Sequence, residues 1–333
     1  RGQRRRALRG EGVATLPSTP LPKEVLPGSI LTARGGRLRL GWRLLFFLVV
    51  VGVVKMIVTT LLPAGIQYAS AALLLGALAG GWAMLALDGR APGALGFYLR
   101  PVAGREAAVG LGLGVVVALV VVLVMAALGG LRWSAQPGTA SAWLVGGASS
   151  LLFLTLPAAA EEALLRGYPL QALAEAWGPA AALLVTSIAF GAMHLGNPAV
   201  TELGLVNIAV AGLLLGVVYL RTGSLWLATG LHLGWNWAHG YLADVPVSGL
   251  EVLDAPFYDG VARGPEWLSG GGFGPEGSAI ATAVTLAAAA ACWWGPWLRP
   301  GEAALSTSPL AVTNMRLDGP DTGPRGPEGA IAA

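Results

Sequence analysis

Eight apolar runs of a length suited to crossing a bilayer divide most of this chain. They lie at about 42–62, 67–88, 107–128, 142–160, 179–195, 201–220, 224–243 and 279–298. A transmembrane helix needs about 20 predominantly apolar residues to cross a hydrocarbon core of roughly 30 Å. Charged residues make up only 12% of the chain, which is about half of their share in ordinary soluble proteins. The sequence therefore predicts an all-α, polytopic transmembrane bundle with about eight spans.

Basic residues indicate the orientation of the bundle, because Lys and Arg are enriched in cytoplasmic flanks. Before the first run or at its start lie Arg1, Arg4, Arg5, Arg6, Arg9, Lys23, Arg34, Arg37, Arg39 and Arg43, and Arg90, Arg100 and Arg105 follow the second run. Both termini are thus predicted on the cytoplasmic side of a multi-pass protein of the plasma (inner) membrane. Contact with anionic lipid accounts for the basic excess. The lipid bilayer is therefore a predicted partner and nucleic acid is not.

Composition divides the chain into three parts. Residues 1–39 form a basic segment and residues 299–333 a Gly/Pro-rich one, and both lack apolar periodicity, so both are predicted to be disordered tails. Residues 40–298 form the predicted transmembrane domain. Within it, the segment 244–278 is Gly-rich and mildly acidic, and it is either a partly ordered lid or a connector.

Three short motifs carry polar residues inside or beside the apolar runs. They are the Glu161-Glu162-x-x-x-Arg166 motif, the Phe190-x-x-x-His194 motif and the His232-x-x-x-Asn236 motif. Ionisable groups at membrane depth cost free energy, and they mark a functional site by default. The three motifs together predict a catalytic site within the membrane.

A turn between two of these motifs predicts which residues meet. Gly178 and Pro179 signal the end of one helix and the start of the next, so an antiparallel helix pair is expected on either side of them. Glu161 lies nearly as many residues before the turn as His194 lies after it. At about 1.5 Å per residue, the two side chains should lie at similar height and be neighbours.

Helical spacing assigns different roles to the two adjacent acids. Glu162 and Arg166 are four residues apart with the acid first, the favourable order for an ion pair, so Glu162 is predicted to position the site. Glu161 points about 100° away around the helix and is assigned to the chemistry. A carboxylate beside an imidazole, here Glu161 with His194, can hold a water molecule and take its proton.

The third motif is predicted to face the first two across a cavity. His232 and Asn236 share one helix face and would donate hydrogen bonds to the oxyanion that forms when water attacks a carbonyl group. Phe190 lies one turn from His194, and its predicted role is supporting, through packing. The pattern as a whole is that of a hydrolase.

No cofactor is favoured. The single cysteine, Cys292, lies in the last apolar run, which excludes an intrachain disulfide and a cysteine-based metal cluster. Zinc remains open, because Glu161, His194 and His232 would provide three ligands and leave a fourth position for water. No HExxH motif is present, and the same three groups suffice for a glutamate mechanism without metal.

The order EExxxR, FxxxH, HxxxN on three of eight spans resembles the CPBP family of intramembrane proteases, also called the ABI family. This family includes the CAAX prenyl endopeptidases and bacterial relatives linked to bacteriocin processing. The resemblance implies an intramembrane endopeptidase, of glutamate type or a metalloendopeptidase, acting on a membrane-associated or lipidated protein or peptide. It also implies Glu161 and His194 as the water-activating pair and His232 and Asn236 as the oxyanion donors, with Glu162 and Arg166 in support.

Two other functions fit parts of the pattern. A non-catalytic immunity, scaffold or peptide-binding protein would keep the same fold, although the complete set of motif residues argues against it. A small-solute transporter would also carry polar residues near the bilayer midplane. The sequence shows no inverted repeat and no paired broken helices, which disfavours a transporter.

Overall fold

The computed structural model of the protein describes residues 30–33 and 36–307, which are mostly helical. The helices are α1 (Leu40–Leu61), α2 (Ile66–Leu87), α3 (Val102–Ala127), α4 (Ala140–Glu162), α5 (Tyr168–Trp177), α6 (Pro179–Met193), α7 (Glu202–Thr222), α8 (Leu225–Trp237), α9 (Glu266–Ser269), α10 (Ala279–Trp294) and α11 (Glu302–Thr307). Two strands, β1 (Leu131–Ala135) and β2 (Tyr258–Ala262), pair antiparallel, with Leu131 opposite Ala262. The described chain is thus mostly helical, as predicted, and this strand pair joins two segments that are distant in sequence.

Each of the eight predicted apolar runs falls on a helix. Five helical stretches of the described chain are long and apolar enough to cross a membrane: Leu40–Leu61, Ile66–Leu87, Val102–Ala127, Ala140–Trp177 and Glu202–Thr222. The stretches Pro179–Met193 and Ala279–Trp294 are also apolar but shorter. The count of eight spans and the side of each terminus therefore stay predictions.

Helices α3 and α8 lie in backbone contact because glycines face each other across their interface. Each helix carries two glycines four residues apart, namely Gly110 and Gly114 on α3 and Gly230 and Gly234 on α8. A Cβ atom added at Gly230 would lie 2.2 Å from the carbonyl oxygen of Ala107, and one added at Gly234 equally close to that of Leu111. Such small-residue faces let membrane helices approach closely. The pair places α8, which carries the third motif, against the rest of the bundle.

Helix α4 contains a proline one turn before the first motif. Pro157 has no N–H group, so the carbonyl of Phe153 loses its helical partner. The side chain of Gln67 on α2 donates to this carbonyl instead, over 2.9 Å. After Glu162 the chain forms one π-helical turn, Ala163–Gly167, before α5 begins. Such turns inside α-helices are frequent at functional sites.

The predicted turn between the first and second motifs is present. Helix α5 ends at Trp177, Gly178 adopts φ 86°, and α6 begins at Pro179. Glycine fits this position because a positive φ strains residues with a Cβ atom. Helices α5 and α6 contact each other on either side of the turn, as expected for the antiparallel pair.

The segment between α8 and α10 is ordered, so the interpretation of residues 244–278 as a bare connector is wrong. It contains β2, the short helix α9 and two 3₁₀ turns, Gly271–Phe273 and Pro275–Gly277. Several of its side chains are buried, among them Phe273 and Glu276. The segment packs on the end of the bundle where α6 ends and α7 and α10 begin.

The predicted tails lie mostly outside the described residues. Of the segment 1–39, only 30–33 and 36–39 are described, and there Thr32 pairs with Leu38 in an isolated bridge. In the segment 299–333, residues Glu302–Thr307 form the short helix α11. Residues 308–333 lie outside the described part of the chain.

Candidate active site

One cavity of about 170 Å³ brings the three motifs together. Its polar lining includes Glu161, His194, His232 and Asn236, which are the four residues predicted to be catalytic. Much of the remaining wall is apolar and includes Phe153, Leu154, Pro157, Met193, Leu214 and Leu231. A small number of polar groups in an otherwise apolar concavity is the usual composition of a substrate site.

Glu162 and Arg166 form a fully buried ion pair next to this cavity. Arg166 Nη1 donates to Glu162 Oε1 over 3.0 Å, and both side chains have an exposed fraction of 0%. Arg166 Nη2 donates to the carbonyl oxygen of Gly212 on α7, also over 3.0 Å. The same guanidinium lies 4.4 Å above the Phe190 ring centroid. The pair therefore joins the π-helical turn to α6 and α7.

His232 hydrogen-bonds to the same buried carboxylate. Its Nδ1 lies 2.9 Å from Glu162 Oε1, and since an ionised carboxylate only accepts, Nδ1 is the donor. The other ring nitrogen, Nε2, lies 3.8 Å from Glu161 Oε2. Glu162 thus orients His232 as well as Arg166, and spacing along one helix did not predict that second contact.

Glu161 has the surroundings expected of a reactive carboxylate. Its side chain is 23% exposed and it lines the cavity. Its Oε2 atom is buried, and no described residue makes a hydrogen bond with it. A buried carboxylate oxygen normally has a hydrogen-bond partner. This atom is therefore available to a water molecule or a substrate group.

His194 caps the end of α6, and a backbone contact fixes its tautomer. Its Nδ1 lies 2.8 Å from the carbonyl oxygen of Phe190, so Nδ1 carries the proton and Nε2 has a free lone pair in the neutral ring. Within the described chain, no hydrogen bond or ion pair joins His194 to Glu161. Glu161 and His194 both line the cavity, as expected for neighbours, and they make no direct hydrogen bond.

Phe190 lies among the charged and imidazole groups of the site. Its ring makes edge-to-face contacts with His194 and His232, with centroid separations of 5.0 and 5.7 Å. Together with the contact to Arg166, these neighbours bury the ring to an exposed fraction of 2%. Phe190 therefore sets the spacing between the two histidines.

Charge balance bears on the protonation of His232. Two carboxylates, Glu161 and Glu162, lie beside a single guanidinium, that of Arg166. An unbalanced charge in a poorly solvated interior is expensive. A doubly protonated His232 would make the cluster neutral, and its Nε2–H would then face the cavity. The arrangement therefore favours His232 as a donor at both ring nitrogens.

Asn236 completes the cavity on the α8 side. It lies one turn beyond His232 and lines the cavity. Among the described residues, no side-chain hydrogen bond involves Asn236, so its amide N–H groups are not occupied by a protein acceptor. Like His232, it can offer a donor to a group bound beside Glu161.

The residues considered for zinc do not converge on one point in this conformation. Within the described chain, one group of three potential metal ligands has its ligand atoms within 4.8 Å of one another. It consists of the carboxylates of Asp244, Asp254 and Asp259 on the 244–278 segment. Glu161, His194 and His232 do not form such a group. The Nδ1 atom of His194 is bound to the Phe190 carbonyl, which leaves Nε2 as the ring nitrogen that could bind a metal.

A third acidic residue near the site was missed by the sequence reasoning. Glu276 also lines the cavity and is only 3% exposed. Its Oε1 accepts from Trp235 Nε1 over 2.7 Å, and its Oε2 accepts from the Ser248 hydroxyl, also over 2.7 Å. Glu276 lies in a Gly/Pro-rich segment without apolar periodicity, and no local sequence signal distinguished it from the exposed acids nearby.

Comparison with known proteins identifies the region that holds the three motifs. Residues 143–238 match the sequence model of a family described as type II CAAX prenyl endopeptidase Rce1-like. No curated protein and no solved structure matches the chain. The matched residues include Glu161, His194, His232 and Asn236, and five helical stretches of the described chain are long and apolar enough to cross a membrane. Residues 143–238 thus match the CPBP/CAAX protease family, and this match together with the apolar helices indicates a membrane protein.

Proposed function

We propose that this protein is an intramembrane endopeptidase that hydrolyses a peptide bond of a membrane-associated or lipidated protein or peptide. The observation that carries the proposal is the state of Glu161. Its Oε2 is buried and makes no hydrogen bond with a described residue, in a cavity that Glu161 shares with two histidines and an asparagine. The family match of residues 143–238 supports peptidase activity as the reaction class.

In the proposed mechanism, a water molecule lies between Glu161 and His194. Both groups present acceptors, the free Oε2 of Glu161 and the Nε2 lone pair of His194, so one water can donate a hydrogen bond to each. Its oxygen lone pair then points away from them toward the substrate carbonyl. A bridging water is thus the proposed link between the two side chains, which make no direct hydrogen bond with each other.

Attack by this water forms one bond and transfers one proton. The water oxygen bonds to the carbonyl carbon, Glu161 takes the proton, and negative charge develops on the carbonyl oxygen. His232 Nε2–H and the Asn236 amide N–H are the donors for that oxyanion. Preorganised donors of this kind typically lower a barrier by about 3–4 kcal/mol each. The tetrahedral intermediate collapses by breaking the C–N bond, and Glu161 returns its proton to the departing amine.

Glu162 and Arg166 act by holding these groups in place. Glu162 donates nothing and accepts from both Arg166 and His232, so its carboxylate fixes the ring plane of His232. Arg166 ties the same carboxylate to α7 through Gly212. No step requires a metal ion, and a glutamate-type mechanism without cofactor is part of the proposal.

The proposal is tested by comparing cells that express the wild-type protein with cells that express Glu161→Gln. The substitution keeps the size of the side chain and breaks no described hydrogen bond of Oε2, so the variant should fold. New protein N-termini are quantified by mass spectrometry of membrane fractions. Cleavages that are present with the wild type and absent with Glu161→Gln are the expected result.

The matched control is Glu251→Gln, because Glu251 is exposed and lies outside the four-residue catalytic set. It should reproduce the wild-type cleavages. Identical N-termini in all three strains, with equal protein levels, would contradict the protease proposal and favour a binding or scaffold protein.

A further inference from the structure

Glu276 lines the cavity but has no part in the proposed mechanism, and its carboxylate accepts three hydrogen bonds. Its oxygens accept from the indole N–H of Trp235 over 2.7 Å, from the backbone N–H of Ser248 over 2.5 Å and from the Ser248 hydroxyl over 2.7 Å. All three partners donate, and Glu276 is 3% exposed. Burying a carboxylate is expensive unless such bonds are made, so this arrangement is a built feature of the fold.

These hydrogen bonds connect the loop around Ser248 to both histidine-bearing elements. The Ser248 carbonyl accepts from the Asn197 side chain over 2.8 Å, and the Asn197 backbone N–H donates to the His194 carbonyl over 3.0 Å. On the other side, Trp235 immediately precedes Asn236 on α8. Glu276 therefore lies where the supports of His194 and of Asn236 meet.

The loop held by Glu276 forms a wall of the cavity. Val247, Ser248, Leu250 and Val252 all line it. Gly249 lies against the loop that follows His194, where an added Cβ atom would be 1.9 Å from the Pro198 carbonyl oxygen. We call residues 246–252 the roof. The roof fits its neighbours closely, and the buried carboxylate of Glu276 holds it through hydrogen bonds to Ser248.

We propose that Glu276 is a positioning residue that holds the roof closed over the catalytic cavity and fixes the His194 turn relative to α8. Its effect on turnover rests on the proposed protease function, whereas its effect on the roof does not. When the attachment is lost, the roof opens and the spacing between His194 and Asn236 loosens.

A single amide substitution tests the contact, because each carboxylate oxygen faces a fixed N–H donor. In Glu276→Gln, the amide NH₂ group replaces one of the two oxygens. It then faces either the Trp235 indole N–H or the Ser248 backbone N–H, and neither donor can accept. One hydrogen bond is therefore lost in either orientation. An unsatisfied buried donor makes local opening about five- to a hundred-fold more frequent.

Roof opening is measured by cysteine labelling in purified full-length protein. The only native cysteine, Cys292, is buried and is replaced by alanine, and Val247→Cys places a reporter in the roof, at a position that is 7% exposed. We expect a water-soluble maleimide to react about five- to a hundred-fold faster when Glu276→Gln is added. The control Glu251→Gln removes an exposed charge from the roof itself and should leave the rate unchanged.

A double substitution distinguishes loss of the Glu276 hydrogen bonds from a general loosening of the protein around the roof. Trp235→Phe removes the donor that faces Oε1, so that in this background the amide of Glu276→Gln can place its NH₂ group there and keep its oxygen toward Ser248. The added increase in labelling on introducing Glu276→Gln should therefore be smaller in the Trp235→Phe protein than in the parent. An equal or larger increase, or unchanged labelling with Glu276→Gln alone, overturns the proposal.

Cleavage kinetics then test the catalytic consequence separately. The substrate is one identified by comparing the wild type with Glu161→Gln. On it, Glu276→Gln should lower kcat more than it raises KM, because misplaced catalytic groups stabilise the transition state less. If labelling changes but the wild-type protein cleaves nothing, the roof assignment stands and the protease proposal fails. If labelling changes and kcat is unaltered, the positioning role of Glu276 is refuted.

Discussion

Gly234 lies on α8 midway between His232 and Asn236, and its replacement by alanine should disturb the site from the far side of the helix. A Cβ atom at this position would lie 2.2 Å from the carbonyl oxygen of Leu111 on α3. Ordinary carbon–oxygen contacts between helices are about 3.3 Å or longer. Both atoms belong to rigid helix backbones, so neither can turn aside, and the two helices must separate by about 1 Å.

This separation has two consequences of different size. Overpacking in a close interface typically costs about 1–3 kcal/mol of stability, so Gly234→Ala should still fold. Displacing His232 and Asn236 by about 1 Å relative to Glu161 should lower turnover about 100-fold, because catalysis depends on the relative placement of these groups. The loss of activity should therefore exceed what the loss of folded protein explains.

The assay compares the thermal unfolding midpoint in detergent with the cleavage rate of a substrate identified by its new N-terminus. Gly112→Ala is the matched control, since Gly112 lies on α3 and an added Cβ atom there meets nothing within 4 Å. This control should retain activity and gain up to about 1 kcal/mol from better helix propensity. Equal behaviour of Gly234→Ala and Gly112→Ala in both measurements would refute the reasoning.

Four further outcomes are expected. Glu162→Gln should destabilise the protein by about 3–5 kcal/mol in denaturation experiments, since it leaves the buried Arg166 charge unpaired; a loss below about 1 kcal/mol, the worth of a surface pair, would contradict the buried cluster. Gln67→Leu should cost about 1–3 kcal/mol by the same measurement, because the Phe153 carbonyl at the proline turn loses its donor. Asn236→Ala should lower kcat about 100- to 1,000-fold through loss of an oxyanion donor, with a much smaller change in KM. Cleavage should persist after treatment with a metal chelator, and activity that is lost and then restored by zinc would overturn the metal-free mechanism.

Several features of the fold were predictable because they depend on local sequence. The length of each apolar run predicted a helix, and the Gly178-Pro179 pair predicted the turn that brings α6 back along α5. The four-residue spacing of Glu162 and Arg166 predicted their ion pair, which forms at 3.0 Å. In each case the partners are near in sequence or follow the period of one helix, so no tertiary information was needed.

Contacts between distant segments were not predictable in the same way. The hydrogen bond from His232 to Glu162 joins residues 70 positions apart, and that from Trp235 to Glu276 joins residues 41 positions apart. Neither follows a sequence period, and the order of the segment 244–278 depends on such contacts. The Gln67 contact to Phe153 is likewise visible only when α2 and α4 lie side by side. That Glu161 and His194 are neighbours was predicted from equal heights alone, which do not fix the lateral distance between two helices.

The two adjacent glutamates point about 100° apart around the helix and have different proposed roles, Glu162 in positioning and Glu161 in the chemistry. Glu162 has an exposed fraction of 0% and its Oε1 accepts from a guanidinium and an imidazole, whereas Glu161 is 23% exposed and lines the cavity. The Oε2 atom of each is buried and makes no hydrogen bond with a described residue. Two charged donors hold Glu162 within the protein, while Glu161 is the acid of the pair that lines the cavity and can reach a bound water. Amide substitution at Glu162 should therefore act mainly on folding, and at Glu161 mainly on turnover. If Glu161→Gln instead lowered stability as much as Glu162→Gln, the unpaired oxygen would have a structural partner, and the assignment of Glu161 as the base would lose its physical ground.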